Sequence, residues 1–246
     1  MLNKILSFGF VFSSLFGIEK VSNDSLAKTI QFAGVKYNLV KNGNSPLYYI
    51  WLHGDEKTAK MALDYHIKHF LGTAFFIQND NREIPYLSTI VDPNRIFSRM
   101  GTRRALTKFK PYWAPGTLDK TLNDLDLERT QFLEIIMPKN DGVLISVHNN
   151  FRGYNVKYEL DNSRRISLKY NQNPRDFILC TNEKDFEKLK VGPYNVVLQD
   201  TLINNDNGSL SWESLRRKIR YINIETRLGY LTKQKLMLAF VSESLN

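Results

Sequence analysis

Leu47-Tyr48-Tyr49-Ile50-Trp51-Leu52-His53-Gly54-Asp55-Glu56 decides how this chain folds. Six apolar residues in a row describe a strand buried on both faces. From Lys57 to Phe70 the period changes. Ala59, Ala62, Leu63, Ile67 and Phe70 fall on one side of a helix. The stretch is therefore a strand that turns into a helix, with His53 and Glu56 at the turn. Gly54 between them suits a sharp change of direction.

The same alternation extends outward in both directions. Thr29 to Val40 mixes β-branched and aromatic residues around Gly34 and predicts a strand or hairpin, and residues 42–46 form a turn. Gly72 suits the stop of the first helix, and Thr73 to Ile77 is a second strand. Ile84 to Val91 reads as one short strand, broken by Asp92-Pro93. Leu118 to Met137 is the longest helix, with Leu122, Leu125, Phe132, Leu133 and Ile136 on its apolar face and Pro138 ending it. Val143–Val147, Arg165–Tyr170, Phe177–Cys180, Val196–Leu198 and Ile219–Ile224 read as strands. Glu183–Lys190, Trp212–Lys218 and Thr232–Leu245 read as helices. Helices alternating with buried strands predict an α/β sheet with helices on both faces. Ligands of such sheets sit at the carboxyl ends of the strands.

Three of those ends carry polar groups. His53 follows the first buried strand, His148 follows Val143–Val147, and Glu225 follows Ile219–Ile224. Two histidines and a carboxylate are the ligand set of a zinc ion that keeps one position open for water. Each piece alone has a plainer meaning. Glu56 is also a suitable acid for a helix start, and a histidine after a mainly apolar run reads as a satisfied core histidine. His66 and His69 have metal-like spacing too, but lie inside an amphipathic helix and read as surface or packing residues. In Asp92-Pro93-Asn94-Arg95-Ile96-Phe97, an arginine fork beside an amide donor makes a clamp for a carboxylate.

Taken in order, His53-x-x-Glu56, Asn94-Arg95, His148 and Glu225 resemble the zinc carboxypeptidase superfamily. The His-Gly-Asp-Glu form and Asn94-Arg95-Ile96-Phe97 are most similar to its succinylglutamate desuccinylase/aspartoacylase branch. The resemblance implies a mixed central β-sheet flanked by helices on both faces, in a single domain. It implies one Zn2+ held by His53, Glu56 and His148, with Asn94 and Arg95 gripping the substrate's free carboxylate. Glu225 is then the general base and afterwards the general acid. The family also supplies an arginine for the developing oxyanion; Arg82, Arg152 and Arg175 are candidates, and Tyr230 is the candidate for a tyrosine covering the substrate. The chain ends soon after Glu225, whereas aspartoacylase relatives usually continue into a small β domain that narrows the entrance. A less confined site is expected here.

Composition sets the remaining bounds. The 246 residues show no linker or repeat and suit one domain, over residues 28–246, behind a leader at 1–27. Lys4 and the apolar run Ile5–Ile18 have the length of a signal peptide rather than of a membrane span, so export to a periplasm or the cell exterior is expected. No stable membrane span is expected after leader removal. The net charge of +9 is dispersed, without a nucleic-acid motif, so no nucleic-acid partner is expected. Cys180 is the only cysteine and reads as a small buried hydrophobe. The expected function is zinc-dependent hydrolysis of an amide bond next to a residue with a free carboxylate. The alternatives are deacylation of an N-acyl amino acid and, in another class, carboxylate-peptide binding without cleavage.

Overall fold

A computed structural model describes residues 28–246; the leader read at 1–27 lies outside the described residues. The sheet begins with a hairpin, β1 (Lys28–Phe32) and β2 (Val35–Asn42), then β3 (Leu47–Trp51), helix α1 (Lys57–His69) and β4 (Gly72–Ile77). A small separate hairpin, β5 (Ile84–Tyr86) and β6 (Thr89–Val91), precedes α2 (Arg99–Phe109) and α3 (Thr117–Ile136). Next come β7 (Val143–Asn150), β8 (Arg165–Ser167), β9 (Phe177–Cys180), α4 (Glu183–Leu189) and β10 (Asn195–Leu198). The chain closes with α5 (Leu210–Arg216), β11 (Arg220–Arg227) and α6 (Leu231–Leu245).

Nine strands form one sheet in the order β1-β2-β4-β3-β7-β11-β9-β10-β8. β4, β3, β7 and β11 are parallel neighbours, while β2 and β9 flank them antiparallel. The domain is thus α/β with a mixed sheet. The carboxyl ends of β3, β7 and β11 reach the same edge, which is why three distant sequence segments meet there.

Helices cover both faces. Side chains alternate along a strand, and the register places Tyr37 and Tyr49 on opposite faces. Tyr49 bonds His66 of α1 and Ser242 of α6. Tyr37 packs instead on Phe132 of α3, with ring centroids 4.9 Å apart, and Phe132 also stacks on Phe32 at 4.8 Å. Burying a ring of that size contributes about 1.5–3 kcal/mol.

Local differences from the sequence expectation have physical causes. Gly72 does not stop α1 but opens β4; the helix ends at His69, and Phe70 after it is already extended. Ile84–Val91 is two strands, because Leu87 takes a left-handed φ of 49° and reverses the chain. Helix α2 has few apolar residues and a glycine inside it, so periodicity misses it; Ser98 caps it by accepting from the Gly101 amide. His148 and Glu225 lie within β7 and β11, since both strands run two residues further.

Two close backbone approaches need glycine. A Cβ at Gly54 would sit 1.9 Å from the Asn79 carbonyl oxygen, so space rather than an unusual dihedral requires the residue. Gly208 has φ +78°, and a Cβ there would lie 2.3 Å from the Arg95 carbonyl oxygen. That contact seats the loop before α5 on the Asn94-Arg95 turn.

Candidate active site

The turn after β3 aims His53 and Glu56 at one point. Glu56 stands at the N-cap of α1 but makes no capping bond with its side chain. Its amide bonds the His53 carbonyl at 3.1 Å, and its carbonyl accepts from Trp51 Nε1 at 3.1 Å. The carboxylate is thereby free to reach across to β7. There Nδ1 of His53 lies 2.9 Å from Glu56 Oε1, and Nδ1 of His148 lies 2.9 Å from Oε2. The two Nδ1 atoms face each other at 3.2 Å. All three residues are buried, and their donor atoms lie within 4.8 Å of one another.

Such a group can hold a cation. Two ring nitrogens and a carboxylate turned toward one point, away from water, favour positive charge among them. Burial opposes charge on His53, but Asp92 and Glu56 outweigh it and raise its pKa to about 9. Burial likewise opposes charge on Glu56, yet His53 and His148 hold its carboxyl well below the ordinary range. The donor set, two imidazole nitrogens and a carboxylate, suits zinc.

The outer ring nitrogens are held as metal-binding imidazoles usually are. Nε2 of His53 lies 2.8 Å from Asp92 Oδ1, and Nε2 of His148 lies 2.7 Å from Ser146 Oγ. Asp92 Oδ1 also accepts from the Asn94 amide at 2.8 Å, so one carboxylate orients the histidine and starts the Asn94-Arg95 turn. Arg82 donates to Glu56 Oε1 at 2.9 Å and lies 3.5 Å from Asp92 Oδ2. Asn149, next to His148, donates its amide to Glu56 Oε2 at 3.1 Å. Gln234 of α6 bonds the His148 carbonyl at 2.9 Å and the Asn149 side chain at 2.8 Å.

The sequence reading gives Asp92, Ser146 and Gln234 no role in the site. Asp92 had a visible signal: an acid two residues before Asn94 and just ahead of a proline-initiated turn. Ser146 and Gln234 had none, because their roles depend on register and helix packing.

Glu225 pairs in register with His148 on the neighbouring strand. It is buried, and burial raises its carboxyl above the ordinary value; His148 lowers it and Glu56 raises it further. Asn150 Nδ2 and Asn223 Nδ2 donate to its two oxygens at 3.2 and 3.3 Å. Asn94 Oδ1 accepts from the Leu210 amide at 2.9 Å, which turns the asparagine's NH2 group away from that contact. Arg95 donates to the Asn94 carbonyl at 2.7 Å. The six sequence-derived residues His53, Glu56, Asn94, Arg95, His148 and Glu225 all line one cleft of about 690 Å³.

The candidate arginines separate. Arg82 and Arg152 line the cleft; Arg175 does not, and instead clasps Asn150 through Nε and Nη2. Tyr230 stacks beneath Arg227 in a different, shallow depression.

No protein-family model matches the chain, and no curated protein matches it. Solved structures do resemble it. One, assigned as a metallopeptidase from Shewanella amazonensis, is 10% identical over 89% of this chain and 85% of its own, with a TM-score of 0.46. A succinylglutamate desuccinylase/aspartoacylase from Rhodobacter sphaeroides is 16% identical over 86% of this chain, TM-score 0.41. A succinylglutamate desuccinylase from Silicibacter sp. TM1040 is 14% identical over 86% of this chain, TM-score 0.46. The chain spans 59% and 60% of the length of the last two. These likenesses carry no argument about the site, whose chemistry follows from its own geometry.

Proposed function

We propose that the chain is a zinc-dependent hydrolase that cleaves an amide bond next to a residue bearing a free carboxylate. One observation carries this: the buried donors His53, Glu56 and His148 converge beside the buried acid Glu225, in a cleft that also holds Asn94 and Arg95. A divalent ion held by those donors supplies a Lewis acid for the scissile carbonyl and acidifies water.

The protein groups do the rest. Asn94 Nδ2 and the Arg95 guanidinium bind the terminal carboxylate and so choose which amide reaches the donors. A Glu225 carboxylate oxygen takes a proton from the attacking water and passes it to the leaving nitrogen as the C–N bond breaks. Its raised pKa makes the carboxylate a stronger base toward the water proton and brings it nearer the pH at which one group can serve in both directions. Arg82 bonds Glu56 and lies next to Asp92, and we assign it to the charge that develops on the carbonyl oxygen. A peptide and an N-acyl amino acid both meet these demands. The apolar run Ile5–Ile18, if it acts as a leader, suits an extracytoplasmic peptide. No described helix is long and apolar enough to cross a membrane.

The test pairs metal analysis with turnover. Purified protein should hold one zinc per chain and cleave a tetrapeptide or an N-acylated aspartate or glutamate. Glu225→Gln should retain the zinc and lose about 10²- to 10⁴-fold in rate. Undiminished hydrolysis by that variant removes the catalytic assignment; tight ligand binding with no turnover by the native chain favours a binding protein.

A further inference from the structure

The cleft continues beyond Glu225 along the floor of the sheet. Tyr221, Asn223 and Glu225 alternate on β11 and share one face. Asn223 stands opposite Leu179 of β9, and Leu179 opposite Val197 of β10. Gln199 lies two residues past Val197, and its amide continues the ladder by bonding the Cys180 carbonyl at 2.9 Å. The same face therefore runs from Glu225 across Asn223 and Leu179 to Gln199, and all four line the cleft. Trp212 of α5 lines it as well, two residues after Leu210, whose amide is bonded to Asn94. The trough thus lies next to both the carboxylate clamp and the general base.

Two polar groups in this trough have no partner among the described residues. Gln199 is 1% exposed, and its Nε2 is buried without a hydrogen bond. Asn223 Oδ1 is also buried and unpaired. The orientation of Asn223 follows from its Nδ2, which donates to Glu225 Oε1 at 3.3 Å and leaves the carbonyl oxygen turned elsewhere. Buried polar groups are nearly always paired in folded proteins, so an unpaired donor and acceptor in one cleft describe what a ligand brings.

We propose that this trough receives the side chain of the residue to be released, and that this side chain ends in a carboxamide. The assignment rests on the hydrolase reading above. A carboxamide offers an acceptor to Gln199 and a donor to Asn223 at once. A carboxylate would satisfy Gln199 but turn lone pairs on Asn223 Oδ1. An ammonium would satisfy Asn223 and leave Gln199 Nε2 unpaired. An aliphatic chain would leave both unpaired.

Five peptides with a common acylated penultimate residue, ending in glutamine, asparagine, glutamate, lysine or leucine, test this by kcat/KM. Calorimetric binding of free L-glutamine, L-glutamate and L-leucine to the zinc-loaded protein runs in parallel. An amide-ended peptide should exceed its glutamate and leucine counterparts by about tenfold or more, the worth of one added hydrogen bond. Gln199→Leu should abolish that advantage and shift the preference toward the leucine peptide. Equal loss on every peptide would show a merely structural Gln199 and overturn the assignment. Cleavage without amide preference overturns it while the hydrolase reading stands. Preferential L-glutamine binding with no cleavage of any peptide upholds the trough and removes the hydrolase. Neither cleavage nor preferential binding overturns both.

Discussion

Asp92→Asn isolates the support of the metal site from its donors. The substitution keeps the shape of the side chain. One oxygen can still accept from His53 Nε2 and from the Asn94 amide, both at 2.8 Å. The negative charge is lost, and an NH2 group comes to face the Arg82 guanidinium where Oδ2 stood at 3.5 Å. Outer partners of this kind are worth about 10- to 100-fold in metal affinity, or roughly 1.4–2.7 kcal/mol. Two effects then compete. His53 loses basicity toward zinc, which weakens binding. It also loses basicity toward the proton that occupies the site below its pKa of about 9, which helps zinc at neutral pH. If the His53 pKa falls by about one unit, zinc at pH 7 regains roughly tenfold and most of the smaller loss disappears. Zinc affinity measured against a chromophoric chelator from pH 6.5 to 9 separates the two. The expected deficit is largest near pH 9 and shrinks toward neutrality. A native affinity at pH 9, or a deficit independent of pH, would refute the carboxylate–imidazole coupling.

Arg95→Ala should reduce kcat/KM chiefly for substrates with a free terminal carboxylate; the loss of a charged hydrogen-bond partner is worth about 1.5–3 kcal/mol, or 10- to 100-fold. The same loss on a substrate whose terminal carboxylate is amidated would show that the clamp is misassigned. His66 supplies a pH dependence of stability away from the site. Burial, helped by neighbouring His69, lowers its pKa from 6.5 to about 4 in the folded chain. The unfolded chain therefore binds a proton first as the pH drops. The stabilising contribution of the neutral ring is complete above about pH 6.5 and is lost progressively down to pH 4, a total of roughly 3 kcal/mol. Urea unfolding of His66→Gln should show a shallower decline than the native chain over that window; parallel curves would exclude His66 as the cause.

Much of this organisation is legible in the linear chain because burial imposes a period. Tyr48 to Leu52 is apolar without interruption, and Val143 to Val147 and Ile219 to Ile224 are mainly apolar, broken only by Ser146 and by Arg220 and Asn223, as strands covered on both faces tend to be. Polar residues directly after such runs stand out, so His53, Glu56, His148 and Glu225 are found, and the arginine fork beside an amide marks Asn94 and Arg95. Helix α2 escapes because only two apolar residues, Ala105 and Leu106, are buried on it. Its place comes from contacts to α3 and β6 that no local pattern records.

By itself, then, the order of residues determines the α/β character, the buried strands and the kinds of donor available at their ends. Those properties depend on side-chain hydrophobicity and on spacing along one segment. The tertiary structure alone decides that β3, β7 and β11 lie side by side, that Glu56 reaches both imidazoles, and that Asp92, Ser146 and Gln234 brace them. It also brings Gln199 and Asn223 onto one face. These relations join residues up to about a hundred or more positions apart, and they exist only once the strands have paired in register.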